Sequence, residues 1–187
     1  MLPIALTVAA FTAAAELISA NARFRTRRER YAEAQEQARA LGRPLLVVGD
    51  PDAGLHTRMG RAYGCGDVCT DLHGCPACAR SITADLTQGP VPGLENDSCV
   101  VFASCVLEYI PDIEAAWHEL LRIAGDRSRL HLVTVAPWTL TSVLYPGARW
   151  ALTEYADGTL GAAPITSGRK LTTLAVTAAG LARGLKL

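Results

Sequence analysis

The side chains best equipped for chemistry are four cysteines in one short stretch, Cys65, Cys69, Cys75 and Cys78. They form a C-x3-C and a C-x2-C pair with His73 between them. Thiolates at this spacing can share one Zn2+ tetrahedrally. A redox-active Cys75-Pro76-Ala77-Cys78 pair and a set of free structural thiols are the other readings the pattern leaves open. In a cytoplasmic domain zinc is preferred over disulfides. Cys99 and Cys105 flank an apolar run and read as core thiols. There is no G-x-S-x-G nucleophile elbow and no G-x-x-x-x-G-K-[ST] phosphate loop. His118 and His131 fall in a helical and a strand-like pattern and read as structural.

These groups must be held by elements that alternate between strand and helix. Pro44–Val48 is an apolar run ending in Gly49, as expected of a buried parallel strand. Asp67–Asp71 and Ser98–Ala103 predict two more strands, and Ile82–Ala84 an edge strand. Ile113–Ala124 has the apolar spacing of an amphipathic helix, and Gly125 ends it. Arg129–Val135 predicts the next strand, stopped by Pro137. Ala148–Tyr155 and Thr159–Pro164 flank Asp157-Gly158, a hairpin signal. Leu171–Leu187 reads as a helix with one apolar face, and Trp138, Tyr145 and Trp150 read as a hydrophobic cap. Strand–helix–strand order within 187 residues, half of them apolar, predicts one three-layer α/β domain and excludes a disordered chain. Six cysteines are too few for a disulfide scaffold at this length.

Residues 82–125 carry a more specific pattern. An Asp (Asp85) follows a strand, then come a proline loop (Pro92) and the strand Val100-Val101-Phe102. Val106-Leu107-Glu108-Tyr109-Ile110-Pro111-Asp112 and a helix with Glu119-Leu120-Leu121-Arg122 complete it. In order and spacing this resembles class I S-adenosylmethionine-dependent methyltransferases of the type 11 kind, and the flanking strands extend the resemblance to about residues 44–145. The resemblance implies a Rossmann-like sheet and S-adenosylmethionine as cofactor. It also implies site residues. Gly49, Asp50 and Gly54 stand in the cofactor loop, where glycines admit backbone N–H groups to the ligand. The chain departs from the family there: Pro51 replaces the middle glycine, one residue is extra, and Val47 stands where an acid is common. A plain acidic turn built on Asp50 and Asp52 is the competing reading. Asp71 corresponds to the acid that takes the ribose hydroxyls, since a carboxylate accepts two hydrogen bonds. Asp85 would approach the adenine amino group, Leu86 would cover the base, and Ser104 would lie at the same strand edge. Tyr109 replaces the family's common His, which argues against a His base.

The N-terminus sets the location expected for this domain. Residues 2–20 contain one charge, Glu16, and are followed by Arg23, Arg25, Arg27, Arg28 and Arg30. A bilayer core takes about 20 apolar residues, so residues 1–22 are expected to form a single transmembrane anchor with the Arg cluster cytoplasmic. A cleaved signal peptide ending near Ala20-Asn21-Ala22 and a helix buried in the fold or a subunit interface are the alternatives. Residues 23–43 are expected to form a basic juxtamembrane helix, facing anionic lipid or solvent, that stops at Gly42. Its thin apolar stripe is Tyr31, Ala34, Ala38 and Leu41. Residues 44–187 are then the methyltransferase-like domain. They carry eleven basic and fourteen acidic residues, a poor match for a nucleic-acid backbone. The expected partners are membrane lipid and other subunits of a larger assembly. Two functions are compatible with this. One is a membrane-anchored methyltransferase of unknown acceptor. The other is a non-catalytic structural subunit with a degenerate methyltransferase fold in a membrane-associated assembly, such as a virion or envelope complex.

Overall fold

A computed structural model of the chain describes residues 2–53, 60–134, 147–154, 159–165 and 185–186. Five short runs rich in Val, Leu and Ile pair as one parallel sheet: β1 (Leu45–Val48), β2 (Val68–Asp71), β3 (Ser81–Thr83), β4 (Val100–Ser104) and β5 (Leu130–Val133). The spatial order is β3-β2-β1-β4-β5. β3 is an edge strand, as its mixed exposure demands. β1 and β4 are buried along their whole length, which is why they read as continuous apolar runs. The chain moves one way from β1 to β3, then returns to place β4 on the other side of β1. This arrangement is compatible with a Rossmann-like fold.

Alternation along the strands divides the core in two. On one face Leu46, Val48, Val68, Val101, Ala103, Leu130 and Leu132 meet α2 (Ile113–Ala124), through Ile113, Ala116, Trp117, Leu120 and Ile123. Asp112 caps α2 by accepting from Ala115 N–H at 3.0 Å, and Gly125 ends it in a left-handed conformation. On the other face Leu45, Val47, Cys69, Val100, Phe102 and Val133 meet α1 (Leu2–Leu41). α1 is one continuous helix ending at Gly42, and its stretch from Phe24 to Ala38 packs on β1, β4 and β5. No helix among the described residues is long and apolar enough to cross a membrane.

A second, antiparallel sheet holds β6 (Trp150–Glu154), β7 (Leu160–Pro164) and β8 (Leu185–Lys186). The expected hairpin is present, though its turn at Asp157-Gly158 lies outside the described residues. So do Trp138, Tyr145 and most of Leu171–Leu187. Where that last segment is described, at 185–186, it is a strand on β7 and not the expected helix. Leu152, Leu160 and Ala162 complete the core on the α2 side.

Candidate functional site

Because β1 to β4 run parallel, the residues that follow them share one carboxyl edge. The edge is most open to a ligand where the chain reverses direction, between β1 and β4. Gly49 leaves β1 with φ +93° and donates its N–H to Thr70 O at 2.8 Å. Asp50 N–H then donates to Asp71 Oδ2 at 3.2 Å, and His73 N–H to Asp71 Oδ1 at 2.9 Å. Ser104 closes β4, and Ala84 N–H donates to Asp71 O at 3.1 Å, which brings Asp85 to the same edge. Gly49, Asp50, Asp71, Asp85 and Ser104 therefore gather on one edge. Gly54 lies outside the described residues.

The roles these side chains already fill differ. Asp71 is half-buried, and each of its oxygens accepts one backbone N–H. A carboxylate has about four acceptor positions, so two remain for hydroxyls. Asp85 Oδ1 accepts from both N–H and Oγ1 of Thr87, which shapes its own loop. Leu86 is buried in the core with Val91 and Leu94. Around Gly49 the backbone is tightly covered. A Cβ there would lie 2.7 Å from Val106 Cγ2, and Pro51 is buried. Asp71 thus keeps acceptor capacity at this edge, while the backbone at Gly49 is covered by Val106.

The sequence pattern missed Arg27. Read as part of a lipid-facing or solvated cluster, it is instead 8% exposed against the end of β4. Its Nε donates to Ser104 Oγ at 2.9 Å and its Nη2 to Cys105 Sγ at 3.2 Å. Both of these partners are neutral, so the hydrogen bonds themselves bring no opposite charge to the buried guanidinium. Cys105 adopts φ +55°, unusual for a side chain other than glycine, and burial pushes its thiol pKa up. Tyr63 stands in the same group. Burial raises its phenol to about 12, against the opposing pull of Arg27. Arg27 lies four and seven residues before Tyr31 and Ala34. Extending the helical stripe by one turn would have found it.

The motif residues of the second half serve the fold. Glu119 is buried, accepts Val91 N–H at 2.8 Å, and pairs with Arg122 through two bonds of 2.6 and 2.7 Å. Arg122 also donates to Leu94 O and Asn96 Oδ1. Glu108 O accepts Arg149 N–H, and Ile110 O accepts Trp150 Nε1–H, both at 2.7 Å, tying the turn before α2 to the second sheet.

The cysteines correct the free-thiol reading, the Cys75–Cys78 redox pair and the expected absence of disulfides, because each member of the C-x2-C pair bonds a cysteine of the C-x3-C pair. Cys65 is joined to Cys78, and Cys69 to Cys75. The Cys69, Cys75 and Cys78 sulfurs lie within 4.8 Å of one another, a grouping that could hold a metal only once the disulfides are reduced to thiolates. Cys99 and Cys105 are unpaired, as expected of core thiols.

No protein family, curated protein or solved structure matches this chain.

Proposed function

We propose that this chain is a membrane-anchored, S-adenosylmethionine-dependent methyltransferase-like protein whose cofactor sits at the carboxyl edge between β1 and β4. The observation that carries the proposal is the meeting of Asp71, Asp50 and Ser104 on that edge, at the point where the sheet reverses. Asp71 would take the ribose hydroxyls through its remaining lone pairs. Arg27 supplies the positive charge that Asp50 and Asp52 withhold from the cofactor's carboxylate. The apolar outer stretch of α1 exposes Leu17 and Ile18, each 72% accessible, which supports contact with lipid or another subunit. Equilibrium dialysis of the full chain against labelled S-adenosylmethionine, with ATP and NAD as competitors, tests the reading. Saturable binding that only S-adenosyl compounds displace supports it, and displacement by ATP or NAD alone refutes it.

A second reading has its own observation. Val106 packed on Gly49 and the buried Pro51 favour a scaffold that has kept the sheet and closed the cofactor loop. That reading predicts no binding in the same dialysis. The protein would then act as a structural subunit of a membrane-associated assembly.

A further inference from the structure

Parallel neighbours in a sheet are ordinarily joined by a dozen or more residues that include a helix. β2 and β3 are parallel and adjacent, yet only residues 72–80 join them, without a helix. Such a connection has little apolar surface of its own to order it. What it has is sulfur. Cys69 and Cys75 are fully buried and Cys78 nearly so, in the layer formed with Tyr63 and Val47. Cys78 N–H donates to Cys75 O at 3.0 Å, folding the C-x2-C pair into a tight turn that aims both sulfurs inward. Cys75 N–H is fixed by Ser81 Oγ at 2.7 Å.

We infer that, with its thiols reduced, this cluster is a structural zinc site formed by Cys65, Cys69, Cys75 and Cys78. Three of the sulfurs already lie within 4.8 Å of one another, and the fourth is bonded to Cys78. Tetrahedral zinc with Zn–S near 2.3 Å places its sulfurs about 3.8 Å apart, so on reduction the bonded pairs separate by about 1.6 Å and the wider separations close by about 1 Å at most. Arg61 Nη2 lies 3.5 Å from Cys65 Sγ, so a guanidinium that also pairs with Asp52 at 3.0 Å stands beside the cluster, where it favours thiolate. His73 is not needed, because its backbone N–H, held by Asp71, fixes the turn on the other side. The chemistry balances with a dithiol as reductant. Two disulfides take up four electrons and four protons from two dithiols, which become disulfides. Zn2+ then displaces the four thiol protons and forms four Zn–S bonds. The cluster also reaches the candidate ligand edge, since Cys69 Sγ lies 3.7 Å from Gly49 O.

The test uses the full chain, purified with a dithiol reductant, freed of metal, and reconstituted anaerobically with Co2+ and separately with Zn2+. The expected result is one metal per chain and a cobalt spectrum with strong sulfur-to-metal charge transfer and the intense visible bands of a tetrahedral thiolate site. Thiol titration should find none of the four cluster cysteines reactive until the metal is removed. Cys75→Ser should lower the charge-transfer band and weaken metal retention at least tenfold, while His73→Ala changes neither. Folded, reduced chain that takes up no metal overturns the inference. So does a cobalt spectrum without thiolate bands, which needs no variant to fold.

Discussion

The two helices cover opposite faces of one sheet and do different work there. α2 presents an uninterrupted apolar stripe, capped by Asp112 and stopped by Gly125. Its one buried acid, Glu119, is fully paired. α1 presents a stripe that begins with a cation, Arg27, and continues through Tyr31, Ala34 and Ala38. Where α2 ends in packing, α1 ends in a polar cluster of Arg27, Ser104, Cys105 and Tyr63 beside the reversal point of the sheet. A face that holds a charge against neutral partners gives up stability. That makes the α1 side the place to look for ligand chemistry, and the α2 side the place to look for folding energy.

The contrast is sharpest under truncation. Leu120→Ala should cost about 2–5 kcal/mol in chemical denaturation, because it opens a cavity in a closely packed layer. It should leave ligand affinity unchanged in protein that remains folded. On the α1 side, alkali is the corresponding probe. Tyr63 ionises at about 12 in the folded protein, above the ordinary tyrosine value near 10. The raised value means its contribution is complete below about pH 10 and is lost as pH climbs towards about 12. Absorbance at the tyrosinate band should show a late titrating phase that Tyr63→Phe removes.

Arg27→Met should change stability by less than about 1 kcal/mol or raise it, since a hydrophobic side chain of similar length replaces a buried cation whose hydrogen-bond partners are neutral. The same variant should weaken S-adenosylmethionine binding at least tenfold. A large loss of stability without a change in binding would make Arg27 a packing residue like those of α2. The smallest effect belongs to the surface. Asp97 is held below the usual carboxylate range by hydrogen bonds from Arg129 and Arg43. It is exposed, so Asp97→Asn should lower the melting temperature only slightly, and less so in high salt. Any contribution of this group is present above the ordinary carboxylate pKa and fades as pH falls through its depressed value.

The legibility of the sequence follows the same division. β1 and β4 are readable as apolar runs, β2 and β5 as strand candidates, and α2 to its terminal residues, because local period and local caps determine them. The Glu119–Arg122 and Pro111-Asp112 words were readable as a pattern, and the structure gives them bracing and capping work. What escaped depends on distant partners. Arg27 among five arginines is marked locally only by its place one turn before Tyr31 on the α1 stripe, and the partners that make its burial possible, Ser104 and Cys105, lie far along the chain. Four cysteines allow three pairings, and spacing does not choose among them. β8 forms only because β7 offers it an edge. The candidate ligand edge was legible as a set of strand ends. The packing of Val106 on Gly49 was not, because it joins two loops that the sheet brings together.

The most direct test of the central claim is a calorimetric titration of S-adenosylmethionine into the full chain and its Asp71→Ala variant. If the carboxyl edge binds the cofactor through Asp71, the native chain binds at one site. The variant then loses on the order of 2–4 kcal/mol, as expected for one or two hydrogen bonds to a carboxylate. Equal affinity in the two proteins, or no binding by the native chain, would contradict the account.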